Sequence, residues 1–372
     1  MSDALSLPPR PNLEQYKKQA KELQRAEHCT LAEAQFALAR RHGFANWPKF
    51  AAHVEELARA HSPVSQFEAA VDAIVDGDLA MLAKLLHANP GLVRERCTRS
   101  HRSTLLHYVS ANGVEDFRQK TPANIVDIAR LLLDAGADVN AESDAYRGRQ
   151  TTLGLTATSG HPERAGLQIA LLELLITRGA AIDGPDGSSA VNACLHNGRG
   201  EAAAYLAERG ARLDLEGAAG IGRIDLVQSY FAEDGSLRPP ATHAQMVDGF
   251  AWACEFGRTS VGELLLKQGV DPAAKLRHHG NTGLHWAACG GHADTVRLLL
   301  GHDAPIDAVD ASFGGTPLDW ALHGWGEAVD PRPFYEVVAI LSQAGAKLNT
   351  PASEKVRSDP RMMAALRGDM PD

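Results

Sequence analysis

The sequence predicts an all-α protein: a small helical domain, then a solenoid of about eight helix-turn-helix units with short hairpin tips. Three observations predict it. The stretch Gly280 to Gly301, GNTGLHWAACGGHADTVRLLLG, reads as a tip, a short apolar helix, a Gly-Gly turn and a second short helix. Looser copies of that stretch recur between about residue 66 and residue 350. Ahead of them, residues 11–60 show helical periodicity without the repeat. Two short helices cannot bury their apolar faces alone, so each unit requires neighbours. The chain therefore divides into a helical N-terminal domain or cap (1–62), a repeat array (63–350, irregular at 114–242) and a C-terminal capping helix (351–372).

In the first segment, Leu13, Tyr16, Ala20 and Leu23 lie at helical spacing. Thr30 with Glu33 forms a capping box for a second helix that stops at Gly43. Trp47-Pro48 opens a third helix, since proline suits the first helical turn. In HGFANWPKF, Phe44, Trp47 and Phe50 are expected to form the core of this three-helix piece, with a binding element as the alternative.

The glycines that end the first helix of each unit act as a ruler: Gly77, Gly113, Gly160, Gly198, Gly222, Gly257 and Gly291, with gaps of 36, 47, 38, 24, 35 and 34 residues. The gap of 47 holds an extra stretch, Val114 to Asn124; the gap of 24 marks a unit that has lost its hairpin. In the last unit the turn glycine is displaced to Gly324 or Gly326. Each second helix ends in a phrase such as Leu131 to Asn140 (LLLDAGADVN), whose glycine suits a left-handed helix C-cap.

Thr282, Leu284, His285, Ala287, Ala288, Gly291, His292, Val296 and Leu298 to Leu300, together with Gly315-Thr316-Pro317-Leu318, resemble the ankyrin repeat. The N-terminal piece resembles the short helical extensions before ankyrin arrays in some bacterial proteins. The resemblance implies a binding groove lined by the hairpin tips and by the two residues before each turn glycine. Carried over by position, the tips supply His101, Arg102, Arg147, Arg149, Gln150, His278, His279, Asn281 and Phe313. The helix positions supply Asn112, His196, Asn197, Glu255 and Phe256. Such a groove suits an acidic peptide or small anion through charge-assisted hydrogen bonds. The resemblance also makes His107 and His285 backbone-bonding structural residues. The aromatics Tyr108, Trp252, Trp286 and Trp320 share one helix position and are expected to pack between repeats with an edge toward the groove.

Composition narrows the function. Net charge is −9, with no long Lys/Arg run, which argues against nucleic acid and an anionic membrane surface. No apolar stretch approaches the roughly 20 residues that span a bilayer. Five scattered cysteines without CxxC spacing point away from disulfides and structural zinc and toward a reducing cytoplasm. No nucleophile-elbow, phosphate-loop or His-Glu-x-x-His motif is present. No cofactor or metal is expected. The leading expectation is a cytoplasmic protein that presents its groove to a protein or peptide partner. The alternatives are an enzyme or small-molecule binder, with a pocket lined by Trp252, Glu255, His196 and Arg149, and an assembly role for residues 1–62.

Overall fold

Asn12, Thr30 and Asn46 each precede an apolar helical run and turn it into a helix by capping its free N–H groups. The computed structural model describes residues 4–8, 10–275 and 280–370, with Arg147 described by its backbone alone. The three capped helices are Leu13–Ala26, Leu31–Arg41 and Trp47–Leu57. Thr30 and Glu33 form the reciprocal capping box: the Thr30 N–H donates to Glu33 Oε2 at 2.8 Å and the Glu33 N–H to Thr30 Oγ1 at 3.2 Å. Tyr16, Ala39, Phe44, Phe50 and Val54 form one core, with Trp47 packed against it. Phe44 and Phe50 are fully buried, so the HGFANWPKF segment is packing.

Eight helical pairs follow among the described residues. Four belong to one compact unit, Met1–Arg212: Pro63–Asp76 with Leu79–Ala88, Leu105–Ser110 (a 3-10 helix) with Ile125–Asp134, Thr152–Thr158 with Gln168–Thr177, and Ala190–His196 with Gly200–Glu208. Four belong to a second, Leu213–Asp372: Leu215–Gly220 with Ile224–Ser229, His243–Glu255 with Thr259–Lys267, Gly283–Cys289 with Ala293–Gly301, and Pro317–Glu327 with Arg332–Gln343. Glu354–Arg357 and Pro360–Ala365 close the second unit, burying Val356, Met362 and Ala365.

One local device joins successive pairs. The Thr104 N–H donates to His107 Nδ1 at 3.1 Å, which leaves the ring proton on Nε2 to reach the Gln150 carbonyl of the next tip at 3.2 Å. His285 repeats this with the Thr282 N–H at 3.1 Å and the Gly315 carbonyl at 3.2 Å. Burial lowers both imidazoles, His107 to about 4, so both stay neutral at pH 7. In the last pair Asp319 takes the histidine's place, accepting from the Thr316 N–H at 2.9 Å and from the Asn349 N–H at 2.9 Å.

The glycine ruler needs two corrections. Gly77, Gly113, Gly198, Gly222, Gly257 and Gly291 all have positive φ, but Gly160 does not. It opens a short inserted helix, Gly160–Arg164, and Gly166 makes the turn instead. The Gln168 amide holds this insert by donating to the carbonyls of Thr156, Ala157 and Ser159 at 3.0–3.1 Å. In the last pair Gly324 and Gly326 both lie inside Pro317–Glu327. Gly324 is there for close packing, since a Cβ would strike the Cys289 carbonyl.

Candidate functional site

The floor of the site is a buried ring of charge in the first unit. Glu68 comes from the helix Pro63–Asp76, Arg99 from the tip that follows it, and Glu115 and Arg118 from the insertion after Gly113. Arg99 lies 2.5 Å from Glu68 and 2.5 Å from Glu115; Arg118 closes the ring at 2.7 Å from Glu68 and 3.5 Å from Glu115. Burial alone would raise the Glu68 carboxyl, but the Arg99 and Arg118 guanidiniums outweigh it and hold it at about 2. Glu115 is likewise held low, against burial, by Arg99 and His101. The Arg99 guanidinium also lies over the Phe44 ring at 5.5 Å, and the Ser100 N–H donates to the Gly43 carbonyl. The ring thus ties the N-terminal helices to the first repeat.

Above this floor stands a short hairpin, Glu142–Ser143 paired with Gln150–Thr151. At its turn Tyr146 is 52% exposed, and its hydroxyl donates to Asn112 Oδ1 at 2.5 Å. Asn112 in turn donates to the Leu155 carbonyl and Thr158 Oγ1, each at 3.1 Å, so hairpin and helix positions are locked together. Two clefts, of 490 and 540 Å³, meet at Gln119 and Tyr146. The first is lined by Arg40, Arg41, His101 and Glu115, the second by Gln150, Thr158, His161, Arg164, Asn197 and Arg199. Glu115 is the only carboxylate among these lining residues, and the buried ring occupies it. Arg199 is paired with Glu163 at 2.5 Å and Arg41 lies 3.8 Å from Glu27. Arg40 and Arg164 have no carboxylate partner among the described residues. Burial and the adjacent Arg164 guanidinium lower the His161 imidazole.

Of the groove residues expected from the sequence, Asn112, Gln150 and Asn197 come together in the second cleft. His101 lies on the wall of the first, but its ring turns inward, 2.8 Å from Ser103 Oγ and 3.7 Å from Glu115. Burial would lower it, yet the Cys97 sulfur and Glu115 push it up to about 10. Arg102 is exposed on another cleft, 3.9 Å from Asp144. Arg149 is exposed and engaged with Glu142 across the hairpin at 3.1 and 3.3 Å. His196 is exposed beside Asn197.

In the second unit, Trp252 is buried with its indole N–H on Glu216 at 2.9 Å, and Glu255 and Phe256 are half-buried at the end of the same helix. Phe313 is 74% exposed. Asn281 is a correction: it is fully buried rather than groove-facing. The adjoining Thr282 must itself be buried to hold His285, and the chain carries Asn281 inward with it. His278, His279 and the Arg147 side chain lie outside the described residues. Arg149 and His196 belong to the first unit, Trp252 and Glu255 to the second.

The sequence reading missed Arg40, Arg41, Gln119, Tyr146, His161, Arg164 and Arg199. The signal for His161 and Arg164 was the excess length around Gly160, which the ruler assigned to a turn. Arg40 and Arg41 end a helix outside the repeats, and nothing local marks them.

Residues 250–352 match the family model described as ankyrin repeats (3 copies). The chain is also 31% identical over 255 residues to a protein of Oryza sativa subsp. japonica named "Probable E3 ubiquitin-protein ligase XBOS33". The match covers 67% of this chain and 41% of that relative, so the chain spans about two fifths of the curated relative's length. No helix among the described residues is long and apolar enough to cross a membrane. Repeats of this class serve protein–protein interaction through extended binding surfaces. Helical pairs, Thr–His locks and the family match agree: the chain is an all-α ankyrin-repeat protein.

Proposed function

We propose that the chain is a binding module whose first-unit groove receives an acidic segment of a protein partner. One observation carries this reading. The joined clefts present Arg40 and Arg164 without a carboxylate partner among the described residues, beside Arg41 and Arg199, which Glu27 and Glu163 pair. The one carboxylate in their lining, Glu115, is held in the buried ring, in a chain of net charge −9. Guanidiniums form short, paired hydrogen bonds with carboxylates, and exposed ones steer an anionic partner into place. The uncharged lining of Asn112, Gln119, Gln150, Thr158 and Asn197 supplies donors and acceptors for an extended peptide backbone. Five free cysteines fit a reducing compartment, and we place the protein in the cytoplasm, which fractionation of source cells tests. The relative is named as a probable E3 ubiquitin-protein ligase; recognition of a protein partner is the share of such a role that a repeat scaffold can serve.

The test is fluorescence anisotropy of a labelled Glu-rich peptide with the full chain, for wild type and for Arg40→Glu/Arg164→Glu. The expected result is roughly tenfold or greater weakening in the double variant and affinity that falls with added salt. Equal affinity in both proteins, or preference for a Lys-rich peptide at this groove, overturns the reading.

A further inference from the structure

The second unit carries an aromatic row that the first-unit groove does not use. Trp252, Trp286 and Trp320 stand 34 residues apart, at one position of three successive pairs. Trp286 and Trp320 pack edge to face with centroids 5.2 Å apart and planes at 76°. Phe313 stands edge-on to Trp320 at 6.3 Å and is 74% exposed. Trp286 and Trp320 are half-buried, whereas their helix neighbours Leu284, Ala287, Leu318 and Ala321 are buried. The two indoles are therefore on the open side of their helices.

Carboxylates set the orientation of the rings. The Trp320 indole N–H donates to Asp310 at 3.0 Å, as the Trp252 N–H does to Glu216 at 2.9 Å. Asp310 also accepts the Phe313 N–H at 2.6 Å and the Gly315 N–H at 2.7 Å, which fixes the tip that carries the Phe313 ring. The Trp320 N–H is thus committed to an anion, and the parts of the three rings that stay exposed offer π surface to a ligand. Residues 213–372 hold 13 Lys and Arg against 21 Asp and Glu, so nearly all of the chain's net charge of −9 lies here. The unit already shows the matching contact within itself: Lys355 Nζ lies 5.0 Å over the Trp325 ring.

We propose that the Trp286–Trp320–Phe313 surface binds the guanidinium or ammonium group of an Arg or Lys side chain in a basic segment of a protein partner. Charge complementarity draws the segment to the acidic unit, and the aromatic faces select the cation by its attraction to their quadrupoles. This site is built from residues of the second unit alone and takes ligands of the opposite sign to those of the first-unit groove.

The experiment uses the full chain and an Arg-rich nonapeptide, read by anisotropy, beside a counterpart in which citrulline replaces every arginine. Trp286→Leu keeps apolar bulk but removes the indole; Phe313→Ala removes a ring that is 74% exposed, and circular-dichroism melts of both variants check that the fold is kept. The proposal predicts about five- to tenfold weaker binding for Trp286→Leu, about threefold for Phe313→Ala, and none detectable for the citrulline peptide. It also predicts unchanged binding of the Arg peptide in Arg40→Glu/Arg164→Glu. Wild-type affinity in both aromatic variants would show diffuse charge attraction alone and overturn the proposal. Equal binding of the citrulline peptide would do the same.

Discussion

Replacing Arg99 by methionine tests whether the buried ring supports the groove. Arg99 is 4% exposed and lies 2.5 Å from both Glu68 and Glu115. Methionine fills similar volume but leaves two buried carboxylates facing Arg118, with His101 beside Glu115 the one other cationic group against the pair among the described residues. Breaking a buried ion pair by removing one partner costs about 3–5 kcal/mol. In a unit of this size each kcal/mol moves the melting temperature by roughly 2–4 °C, so a fall of about 6–20 °C follows. The effect has a pH signature. Glu68 is held at about 2 in the folded protein, below its unfolded value near ~4.3. A depressed carboxyl contributes stability above its unfolded pKa and loses it as pH falls through the folded one. The gap between wild type and Arg99→Met is therefore widest near neutral pH and narrows toward pH ~2–3. Circular-dichroism melts across that range, with hydrogen exchange of residues 63–76 as a local readout, make the measurement. A variant melting within about 2 °C of wild type at pH 7, or a gap independent of pH, refutes the reasoning.

Three further outcomes follow from the geometry. Burial pushes the Glu255 carboxyl up to about 7, and its Oε2 has no hydrogen-bond partner among the described residues. A raised carboxyl contributes stability below its unfolded pKa and loses it as pH rises through 7, so Glu255→Gln should gain on the order of 1–3 kcal/mol at pH 8 and little at pH 4, by chemical denaturation. An acidic peptide beside His161 should raise its lowered imidazole, so peptide affinity should increase as pH falls from 7.5 to 6; calorimetry showing a flat profile would remove His161 from the site. His285→Leu leaves the Thr282 N–H and the Gly315 carbonyl without their shared partner and should cost about 2–4 kcal/mol in denaturant unfolding, against near zero if the ring only fills space.

What could be read in advance was local. The Thr30–Glu33 box and the Phe44–Phe50 core each depend on residues a few positions apart, so their spacing carries the structure; the backbone-bonding role of His285 came from the family resemblance, and its Thr282 partner from the structure. The glycine ruler failed at Gly160 because an inserted helix of five residues uses the same letters as a turn. It failed at Gly324 because glycine also serves where two helices approach closely. Asn281 was misplaced because position in a repeat does not tell how far a tip tucks under its neighbour. The cleft arginines were illegible for a deeper reason. Arg40 belongs to the N-terminal helices and Arg164 to the insert, and only packing of the first unit brings them to one surface. The ring of Glu68, Arg99, Glu115 and Arg118 was equally hidden, since its members lie up to 50 residues apart.

The central claim is that partners enter the joined clefts divided by Tyr146. Photo-crosslinking tests this most directly, with benzoylphenylalanine at Tyr146 in the full chain, expressed in its source cells. A control probe belongs at Met81, 43% exposed on the helix Leu79–Ala88 and lining neither cleft. The account predicts adducts at Tyr146 whose captured peptides are rich in Asp and Glu, lost in Arg40→Glu/Arg164→Glu and absent at Met81. Adducts of neutral or basic sequence at Tyr146, or capture that survives both charge reversals, would contradict it.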